Sequence, residues 1–268
     1  MKRHRKGKDT PPLRAKKSLG QNFLMHQATA ERIARSANLS SKDTVVEIGP
    51  GTGKLTIALL ALTKSVIAIE KDDTLIAQLK ETFSNEIQNK KLTLLHEDVR
   101  TFSYTKTTPY HVVANIPYYI TGEIIRQFLT AKKKPRSMTL LVQKEVAERI
   151  ARSKKESLLS LSVKVFGNPA YVFTVSRGSF VPAPKVDSAV LHISDIHTPF
   201  ASNKEEERFF ALLHAGFAHK RKLLIKNLQN LAPAERLTRA FQASGVLDKA
   251  RAEDISLVSW KKLAKELS

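Results

Sequence analysis

The chain has 268 residues, 42% of them hydrophobic, enough for one large domain or a main domain with a small appendage, and too many for wholesale disorder. Its 45 Lys/Arg against 25 Asp/Glu leave a formal charge of +20, which points to a polyanionic partner, nucleic acid ahead of an anionic membrane. With no cysteine, a disulfide framework and a thiolate metal site are excluded. No apolar run approaches the ~20 residues of a spanning helix, and none follows the basic start. We therefore expect no membrane partner, no secretory signal and a cytoplasmic location.

In chain order, Met1–Lys17 carries eight Lys/Arg against one acid and reads as a flexible basic arm. A helix is expected from about Gln27 to Ala37. The pattern then alternates between short apolar runs and amphipathic ones: strand Thr44–Ile48, a glycine turn and helix Leu55–Leu62; strand Ser65–Ile69 and a helix capped by Asp72, running to about Phe83. Strands Leu92–Leu95 and Tyr110–Ala114 follow, then helix Gly122–Leu129, strand Met138–Val142 and helix Glu145–Arg152. Strands alternating with helices predict an α/β fold, a mostly parallel sheet covered on both faces. Tyr171–Val175 and Val186–Ile193 read as later strands around a proline-rich loop. After Pro199 the pattern is helical only: about Glu205–Phe217, Arg221–Leu228, Ala234–Ala243 and Trp260–Leu267. The expected division is an arm over 1–17, a catalytic domain over 18–198 and a small all-α domain over 199–268.

The turn after the first strand is Glu47-Ile48-Gly49-Pro50-Gly51-Thr52-Gly53. A phosphate-binding P-loop fails here, because Leu55 follows Gly53-Lys54 where Ser or Thr is required, and position 48 is Ile. A dinucleotide loop is weakened by Lys54, which stands where the third glycine belongs. A nucleoside held without a pyrophosphate fits better. It calls for an acid at the second strand's end to accept from ribose hydroxyls, and Glu70 stands there. It also calls for a polar group after the third strand to meet an adenine amine, and Asp98 lies within three residues of it.

The fourth strand ends in Asn115-Ile116-Pro117-Tyr118. An exocyclic base amine is a poor nucleophile, because its lone pair is delocalised into the ring. The Asn115 side-chain oxygen and a backbone carbonyl near Ile116 or Pro117 can accept its hydrogens, Pro117 keeps the loop rigid, and Tyr118 can stack on the base. Alignment of the reactants then carries much of the rate.

Together with Gln21–Leu24, Val46–Gly53, Gln143–Ile150 and Phe180–Val190, these residues resemble the ribosomal RNA adenine dimethyltransferases that modify small-subunit RNA, from about Lys17 to the C-terminus. The resemblance implies a class I methyltransferase, a Rossmann-like fold with a mostly parallel seven-stranded sheet and a small all-α C-terminal domain. It implies S-adenosyl-L-methionine as cofactor, with S-adenosylhomocysteine as product and no metal. It assigns Asn22, Leu24, Gly49, Gly51, Glu70, Asp98 and Asn115 to the cofactor pocket. Asn115, Pro117 and Tyr118 become the catalytic loop, and Tyr118 and Phe180 the two faces of the target adenine. The partner implied is small-subunit ribosomal RNA or its precursor particle, met by a monomer. Two departures stand out: Ile116 and Tyr119 occupy positions where the family usually has Leu and Asn, and Arg152–Leu159 lacks the family's Pro-Gly segment. The large-subunit enzymes that confer antibiotic resistance are the sibling alternative. A non-catalytic RNA-binding factor would show an altered Asn115 or a broken glycine turn, and neither is present.

Two further basic stretches suit an RNA backbone: residues 131–155, with nine Lys/Arg against two acids, and His219–Lys222 with Lys226, expected on one helix. Lys220, Arg221 and Lys222 are the proposed phosphate contacts there. The eight histidines show no metal spacing, and Phe209, Phe210 and Trp260 read as core of the small domain.

Overall fold

The computed structural model describes residues 15, 16 and 19–267; the basic arm expected over 1–17 otherwise lies outside the described residues. The elements in chain order begin with β1 (Phe23–Leu24), α1 (Gln27–Arg35), β2 (Thr44–Ile48), α2 (Lys54–Leu62) and β3 (Ser65–Glu70). Next come α3 (Asp73–Thr82), α4 (Ser84–Gln88), β4 (Leu92–His96), β5 (Tyr110–Asn115) and α5 (Thr121–Leu129). They continue with β6 (Met138–Gln143), α6 (Lys144–Ala151), α7 (Leu158–Phe166), β7 (Asn168–Val175), β8 (Phe180–Val181) and β9 (Ser188–Ser194). Helices α8 (Asn203–Gly216), α9 (Leu224–Leu228), α10 (Ala234–Ser244) and α11 (Leu257–Glu266) close the chain.

Seven strands form one sheet in the order β4-β3-β2-β5-β6-β9-β7. From β4 to β6 neighbouring strands are parallel, and β9 runs antiparallel to both β6 and β7. The α/β class and the mostly parallel seven-stranded sheet are as expected. Burial of the central strands on both faces explains their near-continuous apolar runs. Alternate residues of β2 and β5 feed two clusters, Val46, Ile48, Val112 and Ala114 on one face, Val45 and Val113 on the other. Order reverses between β2 and β5, because the chain first winds outward through β3 and β4 and then returns to the other side of β2. A crevice opens at such a switch point, at the carboxyl ends of the strands.

Helix α7 was not anticipated. Its sequence, LLSLSVKVF, mixes serines with β-branched residues, which gives a weak helical signal. Ser157 and Ser160 close a capping box at its start, and Leu161, Val165 and Phe166 are buried. No strand follows residue 198 among the described residues. Phe209, Leu213 and Trp260 of the C-terminal helices share one apolar cluster with Leu140 and Leu191 of the sheet. Phe166 stacks on Phe210 with centroids 5.9 Å apart, joining α7 to α8. Trp260 and Phe209 are core residues as expected, with Phe210 partly buried beside them. The helix expected over Arg221–Leu228 begins only at Leu224. Lys220, Arg221 and Lys222 lie instead in the exposed turn before it, where Lys222 N donates to His219 O at 3.0 Å. Asn227 Nδ2 fastens that turn by donating to Gly216 O at 2.6 Å and His219 O at 3.2 Å.

Candidate active site

The glycine turn forms one wall of the crevice. Gly49, Gly51 and Gly53 all have positive φ, at 65°, 58° and 82°. At Gly53 an added Cβ would lie 2.6 Å from the Phe83 ring, and at Gly51 3.0 Å from the Phe23 ring, so the turn tolerates neither backbone strain nor side-chain bulk. The opposite rim is the Gln21–Leu24 segment. It reaches the crevice because β1 pairs antiparallel with β8, Phe23 opposite Val181 and Leu24 opposite Phe180. Gln21 is held in turn by Asp72, whose carboxylate accepts from Gln21 Nε2 at 3.0 Å and Lys16 Nζ at 2.7 Å. Burial works to raise the Asp72 carboxyl, but these donors and Thr74 hold it well below the usual range.

Asn22, Leu24, Gly49, Gly51, Glu70, Asp98, Asn115, Pro117 and Tyr118 all line this one crevice. Glu70, at the end of β3, is only 6% exposed. Its Oε1 accepts from Lys71 N and Asp72 N, both at 2.9 Å, and its Oε2 from Gly51 N at 3.3 Å, so it ties the strand end to the glycine turn. Burial pushes its carboxyl up, against the pull of those N–H groups. Asp98 follows β4 and caps a short 3-10 turn, Val99–Thr101. The Arg100 guanidinium beside it, with Lys71, holds its carboxyl far below the usual range.

Asn115 ends β5. Its Nδ2 donates to the Asn22 carbonyl at 3.0 Å, linking the strand end to the opposite rim. A backbone carbonyl can only accept, so the amide must present its NH₂ there, which leaves Oδ1 as an acceptor on the other side. Pro117 precedes a 3-10 turn, Tyr118–Ile120, and the Tyr118 hydroxyl is 2.6 Å from Ser188 Oγ. Phe180 is not brought to the crevice wall: it is 2% exposed and packed in the cluster that contains Leu24 and Val175. Lys220, Arg221 and Lys222 belong to the C-terminal helical part and do not line the crevice. The sequence reading missed Lys71 and Arg100. Both line the crevice, and only the register of β3 with β4, Glu70 opposite His96, carries Lys71 to within reach of Asp98.

The acceptor set suits adenosine. Two carboxylates at successive strand ends offer only acceptors, which is what ribose hydroxyls and an exocyclic amine require. A Rossmann-like sheet with this crevice, glycine turn and Asn-Ile-Pro-Tyr loop defines a class I methyltransferase. The sequence profile of the family described as ribosomal RNA adenine dimethylase matches residues 13–268, and the chain belongs to that family, whose members use S-adenosylmethionine. It is 42% identical over 261 residues to the ribosomal RNA small subunit methyltransferase A of Dehalococcoides mccartyi strain CBDB1, covering 95% of this chain and 89% of that protein. To the protein of the same name from Clostridium botulinum strain Okra it is 37% identical over 256 residues, covering 92% of each. Among solved structures it is similar to the 23S rRNA methyltransferase ErmE, with TM-score 0.75 and 28% identity, covering 92% of this chain and 99% of that one. A dimethyladenosine transferase from Plasmodium falciparum also aligns at TM-score 0.75, with 27% identity, covering 90% and 95%.

Proposed function

We propose that the protein dimethylates the 6-amino groups of two adjacent adenines in a hairpin loop near the 3′ end of small-subunit ribosomal RNA, acting as a monomer in the cytoplasm during small-subunit assembly. The observation that carries this reading is the orientation of Asn115, whose amide nitrogen is engaged by Asn22 O and whose oxygen is left to accept from a base amine. S-adenosylmethionine supplies an activated methyl group on a sulfonium when bound. Glu70 accepts from the ribose hydroxyls and Asp98 from the adenine amine, while Asn22, Leu24, Gly49 and Gly51 enclose the remainder. Asn115 Oδ1 and a carbonyl of the Ile116–Pro117 segment would accept hydrogen bonds from the target amine and so direct its lone pair toward the methyl group. Tyr118, steadied by Ser188, stacks on the captured base. Identity of 42% to a relative named for the small subunit, against 28% to the 23S enzyme, favours the small-subunit substrate.

The test is single-turnover methylation of unmodified small subunits by Asn115→Ala. Misaligned reactants cost on the order of 10²-fold, and we expect a loss at least that large with RNA affinity retained. Near-normal transfer would remove Asn115 from the chemistry, and mass mapping of the modified adenines decides the site and the methyl count.

A further inference from the structure

The ion pairs around Asp98 fill its carboxylate. Oδ1 accepts from Arg100 N and Arg100 Nε, both at 3.0 Å. Oδ2 accepts from Lys71 Nζ at 2.8 Å and Arg100 Nη2 at 2.6 Å, with Arg100 Nε shared at 3.1 Å. A carboxylate has about four acceptor positions. Four donor nitrogens hold them: the backbone N of Arg100, Nε and Nη2 of its one guanidinium, and the Lys71 ammonium. If Asp98 receives the adenine amine, as the proposed function has it, one donor must leave.

The backbone N–H belongs to the 3-10 turn and stays. Between the two side chains, the guanidinium spans both oxygens and so covers the carboxylate edge, whereas Lys71 holds one oxygen only. Arg100 lines the crevice together with Tyr119, and its side chain is 46% exposed. Tyr119, beside the base-capturing Tyr118, is 67% exposed at the same mouth. A guanidinium released there sits at the entrance for the target nucleotide, where its forked donors match a phosphate.

We propose that Arg100 is a shared ligand: it covers Asp98 while the crevice is empty, is displaced when adenosine docks, and then grips a backbone phosphate next to the target adenine. Cofactor binding thereby raises RNA affinity, and by linkage RNA raises cofactor affinity by the same factor. Arg100 acts here as a positioning and coupling residue, since it touches neither the methyl group nor the amine. Glu123 is the competing destination for the freed guanidinium, its carboxylate being close enough to act on the Arg100 charge.

The test compares wild type, Arg100→Gln, Arg100→Lys and Asp98→Ala, using calorimetry with S-adenosylhomocysteine and affinity for unmodified small subunits with and without it. In wild type, S-adenosylhomocysteine should tighten RNA binding by roughly two- to five-fold, the scale of an exposed ion pair. Arg100→Gln should bind S-adenosylhomocysteine more tightly by a similar factor without RNA, and its RNA affinity should no longer respond to it. Arg100→Lys should keep part of the response. If Asp98→Ala weakens S-adenosylhomocysteine binding but Arg100→Gln weakens it too, the guanidinium merely supports the carboxylate and the proposal falls. Tighter S-adenosylhomocysteine binding by Arg100→Gln with an undiminished RNA response would send the side chain to Glu123 and overturn the phosphate contact. Unchanged affinity in Asp98→Ala would overturn the adenine contact itself, an outcome separate from the other two.

Discussion

Glu47 is the penultimate residue of β2, with no exposed surface, and neither carboxyl oxygen has a hydrogen-bond partner. Burial pushes its carboxyl up to about 8, with the Thr56 hydroxyl opposing and the Glu70 charge adding to the rise. The group is therefore neutral at pH 7 in the fold, while in the unfolded chain it ionises near ~4.3. Between those values the unfolded state holds fewer protons, so this residue lowers stability as pH rises. Glu47→Gln mimics the neutral acid and should remove that slope. Denaturant unfolding at pH 5.5 and pH 8 should show the variant gaining on wild type as pH increases. A constant difference would mean that Glu47 is ionised in the fold. Asp72 and Asp98, both held low, act in the opposite sense, and their contribution is lost only as pH falls below ~3.9, so the two effects separate. At this scale Glu70 and Asp98 were legible because an acid at a strand's carboxyl end is a position, readable from the strand. Lys71 and Arg100 were not, being two among 45 cations, and only strand register and local turn geometry bring them onto one carboxylate.

At the scale of elements, the two-residue ladder of β1 with β8 has the largest consequence, because it holds the Asn22 rim against the crevice. Phe180 anchors it from the core side, opposite Leu24 in the ladder. Truncating a buried phenylalanine costs about 3–5 kcal/mol, so Phe180→Ala should be strongly destabilised in thermal or denaturant unfolding. Stacking on a base, the role implied by resemblance, requires one face of the ring to become uncovered. Phe180→Leu separates the two roles: it should recover most of the stability, and if kcat/KM for RNA recovers with it, the ring is packing. A persistent activity deficit in a stable Phe180→Leu protein would place the ring against the base. The ladder was unreadable beforehand because two-residue strands have no periodicity, and only the partner strand from 156 residues further on defines them.

Over the whole molecule, positive charge is spread among the basic arm, the 131–155 stretch and the turn before α9, whereas the proposed chemistry calls for a single base at the Asn115 loop. Phosphate contacts position a protein without carrying sequence information. Replacing Lys220, Arg221 and Lys222 together by Gln should weaken RNA binding and flatten its salt dependence by about 0.7 in log–log slope per lost single-strand contact. The modified adenines should stay the same. RNA affinity across a salt series, with modification mapping for both proteins, checks this, and an unchanged slope would leave the turn a solvated surface. The turn geometry sharpens the expectation: with no helical face to present, all three side chains project from one exposed bend fastened by Asn227.

The alternation of buried strands and amphipathic helices, the glycine turn, and the acids and Asn115 at successive strand ends were determined by the sequence alone, because each depends on local periodicity and on position within a single β–α unit. Tertiary structure alone decided α7, whose weak local signal is overridden by burial between the sheet and the C-terminal helices. It also decided the burial of Phe180, the burial that raises the Glu47 carboxyl, and the start of α9 after its basic turn rather than within it. The physical reason is common to these: exposure, ionisation and strand partnership depend on which distant segments pack alongside, and chain order does not contain those neighbours until the sheet has assembled.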